Sequence, residues 1–316
     1  MNVLNIVTIA LKNILKNKTR SFLTSLGIII GVASVVIMVG IGQGTQKKVE
    51  EEIKSMGANL IMVFGGNNKS GGVSKGAASR ESIELKDIDA LKKKSIFTNK
   101  ISPYVNSNRQ VIANGNNWNT SIAGVSEEYF DIRNLTLEKG YFFSEQDVKT
   151  KKNNAVLGKT VAEQLFGESD PIGQKIRIGK SPFKIVGVLK AKGGSGPGMS
   201  QDDLIYLPYS TAINKITGGN KRLRSIYISA KSEKDIDAAK EEIREILRNS
   251  HKLEDKDADD FTIGSQTEII ERSASITGLL TILLGAIAGV SLFVGGIGIM
   301  NIMLVSVTER TKEIGI

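Results

Sequence analysis

Few side chains in this sequence could do covalent chemistry. The 316 residues include no cysteine and one histidine, His251. That excludes a disulfide framework, a thiol nucleophile, and any cysteine-ligated zinc or iron–sulfur site. A histidine-based triad or a multi-histidine metal site cannot be assembled from one imidazole. Two fragments imitate a phosphate-binding loop, Gly158-Lys159-Thr160 and Gly179-Lys180-Ser181. Such a loop needs another glycine five residues earlier so that backbone N–H groups can wrap the phosphates. Those positions hold Asn153 and Gln174. Asp255, Asp257 and Asp259 resemble the start of a calcium loop, but Asp260 and Gln266 stand where it needs glycine and glutamate; a solvated acidic turn is the expectation. His251 lies at the end of a helical pattern and reads as a C-terminal cap. No catalytic residue is expected, and the chain is not expected to bind ATP, a metal or another cofactor itself.

One polar motif remains, Thr308-Glu309-Arg310-Thr311-Lys312-Glu313-Ile314-Gly315-Ile316. It is neutral and helix-forming, unlike a simple basic membrane anchor, and suits docking into a groove of a soluble partner. It directly follows residues 273–308, which are 36 residues without a charge. A second uncharged run, residues 21–46, lies near the start. As a helix, Phe22–Gly42 would be about 31 Å long, one hydrocarbon core. The later run would be about 54 Å long, so its first part is expected to stand clear of lipid as a stalk, with the span proper near 281–306. Lys12, Lys16, Lys18 and Arg20, without an acid among the first 20 residues, place the N-terminus in the cytoplasm and the middle of the chain outside. Gly27-x-x-x-Gly31, Gly285-x-x-x-Gly289 and Gly295-Gly296-x-Gly298 would let membrane helices approach closely. The expected organisation is an amphipathic cytoplasmic helix (1–20), transmembrane helix 1 (21–43), an extracytoplasmic domain with helical stalks (44–272), a stalk and transmembrane helix 2 (273–308), and the polar segment (309–316).

The fold class expected is an α+β membrane protein. In the middle region, 59–64, 101–105 and 110–113 read as strands around a helix at 82–94. Ser225 to Ala230 alternates as a strand, Ser232 to Asp235 has the form of a capping box, and Ile236, Ala239, Ile243 and Ile246 mark one helical face. Phe261 to Ile263 is the next strand. Two α/β parts (57–113 and 222–265) thus flank a β-rich insert (114–221), with a hairpin turning at Gly179 to Pro182. The net charge of +9 is spread along a long stretch with a single tryptophan, which does not suggest a nucleic-acid platform.

Several blocks together resemble the MacB/FtsX-type permeases of ABC transporters, and MacB-like members closely. They are Leu26 to Val32 (LGIIIGV), Gly140 to Val148 (GYFFSEQDV), Ala155 to Gly167 (AVLGKTVAEQLFG), Asp170-Pro171-Ile172-Gly173 and Gly295 to Ile316 (GGIGIMNIMLVSVTERTKEIGI). The resemblance implies a four-span permease in the bacterial inner membrane, with a porter-like α/β part and an inserted β-rich part outside. It implies a homodimer of permeases embedded in membrane lipid, driven by cytoplasmic ATPases that bind ATP and magnesium. Thr308 to Gly315 would be the coupling helix that meets the ATPase. No ATPase is fused here, so a separate subunit is implied. Two further spans would follow Ile316, making this chain a truncated piece. The expected function is export of peptides, toxins or macrolide-like drugs with a membrane-fusion-type adaptor. FtsX-like signalling to cell-wall hydrolases and LolC/LolE-like lipoprotein release are the alternatives.

Overall fold

The computed structural model describes residues 29, 31–33, 35–47, 51, 59–66, 83–192, 202–313 and 315. The chain divides into two compact units, one of residues 51–269 and one joining 1–50 with 270–316. In chain order the elements are β1 (Leu60–Gly65), α1 (Leu85–Lys94), β2 (Thr98–Ala113), β3 (Asn116–Val125), α2 (Glu128–Ile132), β4 (Leu137–Gly140), α3 (Glu145–Lys149), β5 (Asn154–Leu157), α4 (Lys159–Phe166), β6 (Lys175–Ile178), β7 (Ser181–Leu189), β8 (Leu204–Pro208), α5 (Tyr209–Lys215), β9 (Ser225–Ala230), α6 (Ile236–His251), β10 (Phe261–Ser265) and α7 (Gln266–Glu313).

The first lobe of the 51–269 unit is built from β1-α1-β2 and β9-α6-β10. Its strands lie in the order β10-β1-β9-β2, every neighbour antiparallel. This is the split β-α-β arrangement of a ferredoxin-like fold. Period-two alternation puts Ile61, Val63, Ile226 and Ile228 on one sheet face, where they pack with Ile88 and Leu91 of α1 and Ile243 and Leu247 of α6 in a single core. The Asp87 carboxylate accepts from the Glu84 N–H (2.7 Å) at the start of α1. The capping box read at Ser232 forms differently. A 3-10 turn, Glu233–Asp235, precedes α6, and the Ser232 hydroxyl donates to the Asp235 carboxylate (2.6 Å).

The second lobe grows out of β2 itself. From Thr98 to Tyr104 this strand pairs with β9; from Val105 to Ala113 it pairs with β3. The exchange of partners therefore falls inside β2, before the 113/114 boundary read from sequence. Asn114 (φ +53°) and Gly115 (φ +81°) then turn the chain back into β3. This two-residue turn needs positive φ at both positions, which asparagine and glycine supply at least cost. Pairing continues β2-β3-β8-β5-β7, and β6 joins β7 back to β2 through Val111↔Ile178 and Ile112↔Arg177. Six strands thus close into a ring, which removes free edges. Val111, Ile122, Leu157, Ile176, Phe183 and Ile205 share a core with Val161 and Leu165 of α4. The insert was expected to be β-rich. It also carries the helices α2 to α5, each of five to eight residues, too short for helical periodicity to be distinctive.

Residues 35–47 of the other unit are helical, and α7, most of which belongs to that unit, runs unbroken for 48 residues, about 72 Å. Among the described residues one helical segment, Gln266–Met300, is long and apolar enough to cross a membrane. Ile282, Phe293 and Val294 on it are exposed in the isolated chain. The amphipathic helix read at 1–20, and residues 48–50 and 52–58 at the start of the extracytoplasmic domain, lie outside the described residues.

Candidate functional site

A group of aromatic side chains in mutual contact gathers where the two lobes meet. Short α2 sits against β2 and β9, delivering Tyr129 and Phe130. Tyr129 stacks on Tyr104 of β2 (5.8 Å between centroids) and meets Tyr227 of β9 (5.1 Å) and Tyr206 of β8 (5.9 Å). Phe130 stacks on Phe142 (4.1 Å) and meets Phe143 edge-on (5.1 Å). The Arg133 guanidinium lies 5.6 Å over the Tyr227 ring, within cation–π range. Ion pairs hold α2 from the other side. Glu128 pairs with Lys92 of α1 (3.2 Å) and accepts from the Ile101 N–H (3.2 Å), while Asp131 pairs with Lys100 (2.6 Å). The Lys192 ammonium donates to the Arg133 carbonyl (2.8 Å). Burial, with Arg133 nearby, pulls its pKa down to about 8. Burial pushes the phenols of Tyr129 and Tyr104 upward, so they act as neutral packing groups. Among the described residues of this arrangement, no nucleophile faces a base. What it can do is fix the angle between the lobes.

The histidine is not a simple helix cap. Lys252 takes the C-cap position of α6 with left-handed dihedrals. His251 instead turns inward between two carboxylates, with Nδ1 2.7 Å from Asp260 Oδ1 and Nε2 3.2 Å from Asp87 Oδ2. Its side chain is 5% exposed and that of Asp87 is 0% exposed. Ser250 Oγ donates to Asp87 at 2.5 Å, and Phe261 packs edge-on against the imidazole. The hydrogen bond to Asp87, opposed by burial and reinforced by Asp260, raises the His251 pKa to about 8. Burial would raise the Asp87 carboxyl, but the hydrogen bonds from His251, Ser250 and the Glu84 amide hold it below the usual range. This ties α1, α6 and the start of β10 together. Sequence gave no hint of it, because Asp87 and His251 are 164 positions apart.

The loop-like fragments have structural roles. At Gly158 the chain passes so close to residue 202 that a Cβ would lie 2.3 Å from the Asp202 carbonyl oxygen. The N–H groups of Gly158 and Thr160 donate to the carbonyls of Leu204 (2.8 Å) and Asp202 (3.1 Å). Lys159 pairs with Glu138 (2.7 Å). Gly179 and Lys180 separate β6 from β7 as the expected hairpin turn. Of the acidic turn, Asp257 accepts from the Glu254 N–H (2.9 Å), and Asp259 pairs with Arg244 (3.3 Å) and Arg248 (2.5 Å). It is more structured than a merely solvated turn.

Thr308 to Glu313 form the last turns of α7, and Gly315 lies just beyond with φ +85°. Ile314 is outside the described residues. Thr308 Oγ1 donates to the Leu304 carbonyl (3.1 Å) and Thr311 Oγ1 to that of Val307 (3.1 Å). Of the packing glycines, Gly27 is outside the described residues and Gly31 is buried. Gly285, Gly289, Gly295, Gly296 and Gly298 would each place a Cβ with no described atom within 4 Å. The close approach in this unit is at Gly42, whose Cβ would lie 3.2 Å from Thr281 Oγ1.

A ferredoxin-like lobe with a closed β insert, continuing into one long apolar helix, has the form of the extracytoplasmic domain of a membrane transporter. The family model for the MacB-like periplasmic core domain matches residues 21–246, and the chain belongs to that family. It is 41% identical, over 97% of its length, to a macrolide export ATP-binding/permease protein MacB of Chlorobium luteolum, and 40% identical over 95% to one of Bdellovibrio bacteriovorus. It covers 46% of each, so it spans about half the length of the curated relatives it matches. Among solved structures, the periplasmic region of MacB from Actinobacillus actinomycetemcomitans matches with a TM-score of 0.58 and 26% identity, covering 71% of this chain and 97% of that one. The extracellular domain of the ABC-type transporter YknZ from Gram-positive bacteria shares the fold, with a TM-score of 0.53 and 19% identity over 65% of this chain and 100% of that one.

Proposed function

We propose that this chain is the permease component of a MacB-like ABC exporter. It works as a homodimer in the bacterial inner membrane, with its N-terminus cytoplasmic and the 51–269 unit outside. Residues 21–43 and a part of 273–308 cross the bilayer, and their glycines pack against other spans. A cytoplasmic ATPase supplies ATP and magnesium chemistry and meets Thr308 to Gly315. Its motion reaches the outer domain, which engages a membrane-fusion-type adaptor and expels peptides, toxins or macrolide-like compounds. The observation that carries this reading is α7. It carries an apolar segment, Gln266–Met300, long enough to cross a membrane, and ends in the polar residues Thr308 to Glu313. The similarity to macrolide export ATP-binding/permease proteins supports the same assignment.

The test is the double charge reversal Glu309→Lys with Arg310→Glu in the assembled complex. Membrane insertion should stay at the wild-type level while ATP hydrolysis no longer drives export. Export at the wild-type rate per ATP would remove the segment from the mechanism.

A further inference from the structure

The four tyrosines at the lobe junction carry polar atoms that ring packing does not explain. Tyr129 is 5% and Tyr206 2% exposed, while Tyr104 and Tyr227 are half-buried. Among the described residues, the hydroxyls of Tyr129, Tyr206 and Tyr227 make no hydrogen bond. That of Tyr104 only accepts, from Asn106 Nδ2 (3.3 Å). Four O–H donors are therefore unspent. Buried polar groups without partners are uncommon and cost free energy. Phenylalanine would fill the same volume without that cost, so packing alone does not select tyrosine here.

The hydroxyls share one region with a cation. Burial raises the phenols of Tyr104, Tyr129 and Tyr206; beyond burial, Tyr227 raises each of them and Arg133 lowers each. Such effects act only between near neighbours. Tyr129 is central, its ring centroid 5.8 Å from Tyr104, 5.9 Å from Tyr206 and 5.1 Å from Tyr227, and the Arg133 guanidinium lies over Tyr227. Among the described residues, that guanidinium has no carboxylate within 4 Å and donates no hydrogen bond. Its charge instead presses on Lys192, which burial also holds down. Asp202 offsets Lys192 and accepts from its backbone N–H (2.9 Å). Arg224 is exposed and acts on Tyr104.

This donor set selects its ligand. One unpaired guanidinium balances one negative charge, and a second charge in so buried a place would go uncompensated. A phosphate dianion is disfavoured on that ground. A carboxylate carries a single charge, and its two oxygens accept several hydrogen bonds, including the paired bonds of a guanidinium fork. The surrounding ring faces suit an aromatic body attached to that carboxylate. Tyr104, Tyr227 and Arg133, all half-buried, give the cluster its open side.

We propose that the tyrosine cluster and Arg133 form a binding site for one organic carboxylate carried on an aromatic body. The inference does not depend on the ATP-driven mechanism. The test uses the whole chain in detergent, with phenylacetate as the probe and ligand-observed NMR titration as the readout. Phenylacetamide, of the same shape without the charge, and inorganic phosphate are titrated in parallel. Phenylacetate should bind about tenfold or more tightly than either. Arg133→Gln should weaken phenylacetate binding by about tenfold or more, and the double variant Y129F/Y206F, which removes two donors and keeps both rings, should do the same. K180Q removes an exposed cation elsewhere and should bind like wild type. Because neither hydroxyl has a partner in the fold, Y129F/Y206F should melt at or above the wild-type temperature. A lower melting temperature would make the hydroxyls structural and overturn the proposal. Equal binding of the amide would reduce the site to an apolar one, and tighter binding of phosphate would make the carboxylate reading wrong. Wild-type affinity in the Arg133→Gln or double Phe variant would also overturn it, as would a matching loss in K180Q or no binding of phenylacetate to wild type.

Discussion

Deprotonating His251 should loosen the 51–269 unit, and the size of the effect follows from its two carboxylate neighbours. The groups facing the imidazole are Asp87 from α1, Asp260 before β10, and the Phe261 ring. A folded pKa of about 8 against an ordinary value near 6.5 means that the folded state holds the proton more tightly. Stability from this source is therefore fully present below pH 6.5 and is lost as pH rises through 8. A shift of about 1.5 units corresponds to about 2 kcal/mol. Residues 51–269 form one compact unit and are the piece to unfold. Urea unfolding at pH 6, 7, 8 and 9 should show the loss, and His251→Gln should flatten the profile over that interval. Because this is the only histidine in the chain, its Cε1 proton gives one NMR resonance whose titration reads the folded pKa directly. A midpoint at or below 6.5 would refute the ion-pair reasoning.

Two further substitutions probe close packing. Gly158→Ala drives a methyl into the Asp202 backbone and should cost about 2–3 kcal/mol. Gly115→Ala, at φ +81° but in open space, should cost roughly 1–2 kcal/mol; a larger loss at Gly115 than at Gly158 in denaturant melts would show that strain, not approach, dominates. Glu242 of α6 accepts from Ser95 Oγ (2.5 Å), Ile96 N–H (2.6 Å) and Phe97 N–H (3.1 Å). Glu242→Ala should cost about 1–3 kcal/mol and speed hydrogen exchange of the Ile96 and Phe97 amides at least tenfold; unchanged exchange would mean that other contacts hold this loop.

The first lobe was legible because its elements are long enough to show their period. Ile226, Ile228 and Ala230 alternate, while Ile236, Ala239, Ile243 and Ile246 recur as a helical face, and both sets are buried. The insert was harder to read. Its helices are shorter than two full turns or barely more, and its ring is closed by two residue pairs between β2 and β6, which no local pattern encodes. The Asn114-Gly115 dipeptide is a strong hairpin signal and could have located the β2–β3 turn. The aromatic junction was invisible, since Tyr104, Tyr129, Tyr206 and Tyr227 come from four separate elements. The polar segment at Thr308 to Gly315 was conspicuous in sequence because it ends a charge-free run. Its partner is not encoded in its own residues.

The continuity of β2 has a mechanical consequence. Two lobes joined by loops can swivel; here they share one strand about 50 Å long. A pull entering the first sheet at Ser265 crosses β1 at Ile61 and β9 at Ile228 to reach Ile101. From there it runs along β2 toward Ala113. Force along a strand axis loads its ladder bonds side by side, in shear, so that they resist together. Force across the axis would peel them one at a time. The outer lobe is thus mounted as a stiff extension of the inner sheet, with little slack to absorb a displacement before it reaches the far hairpin.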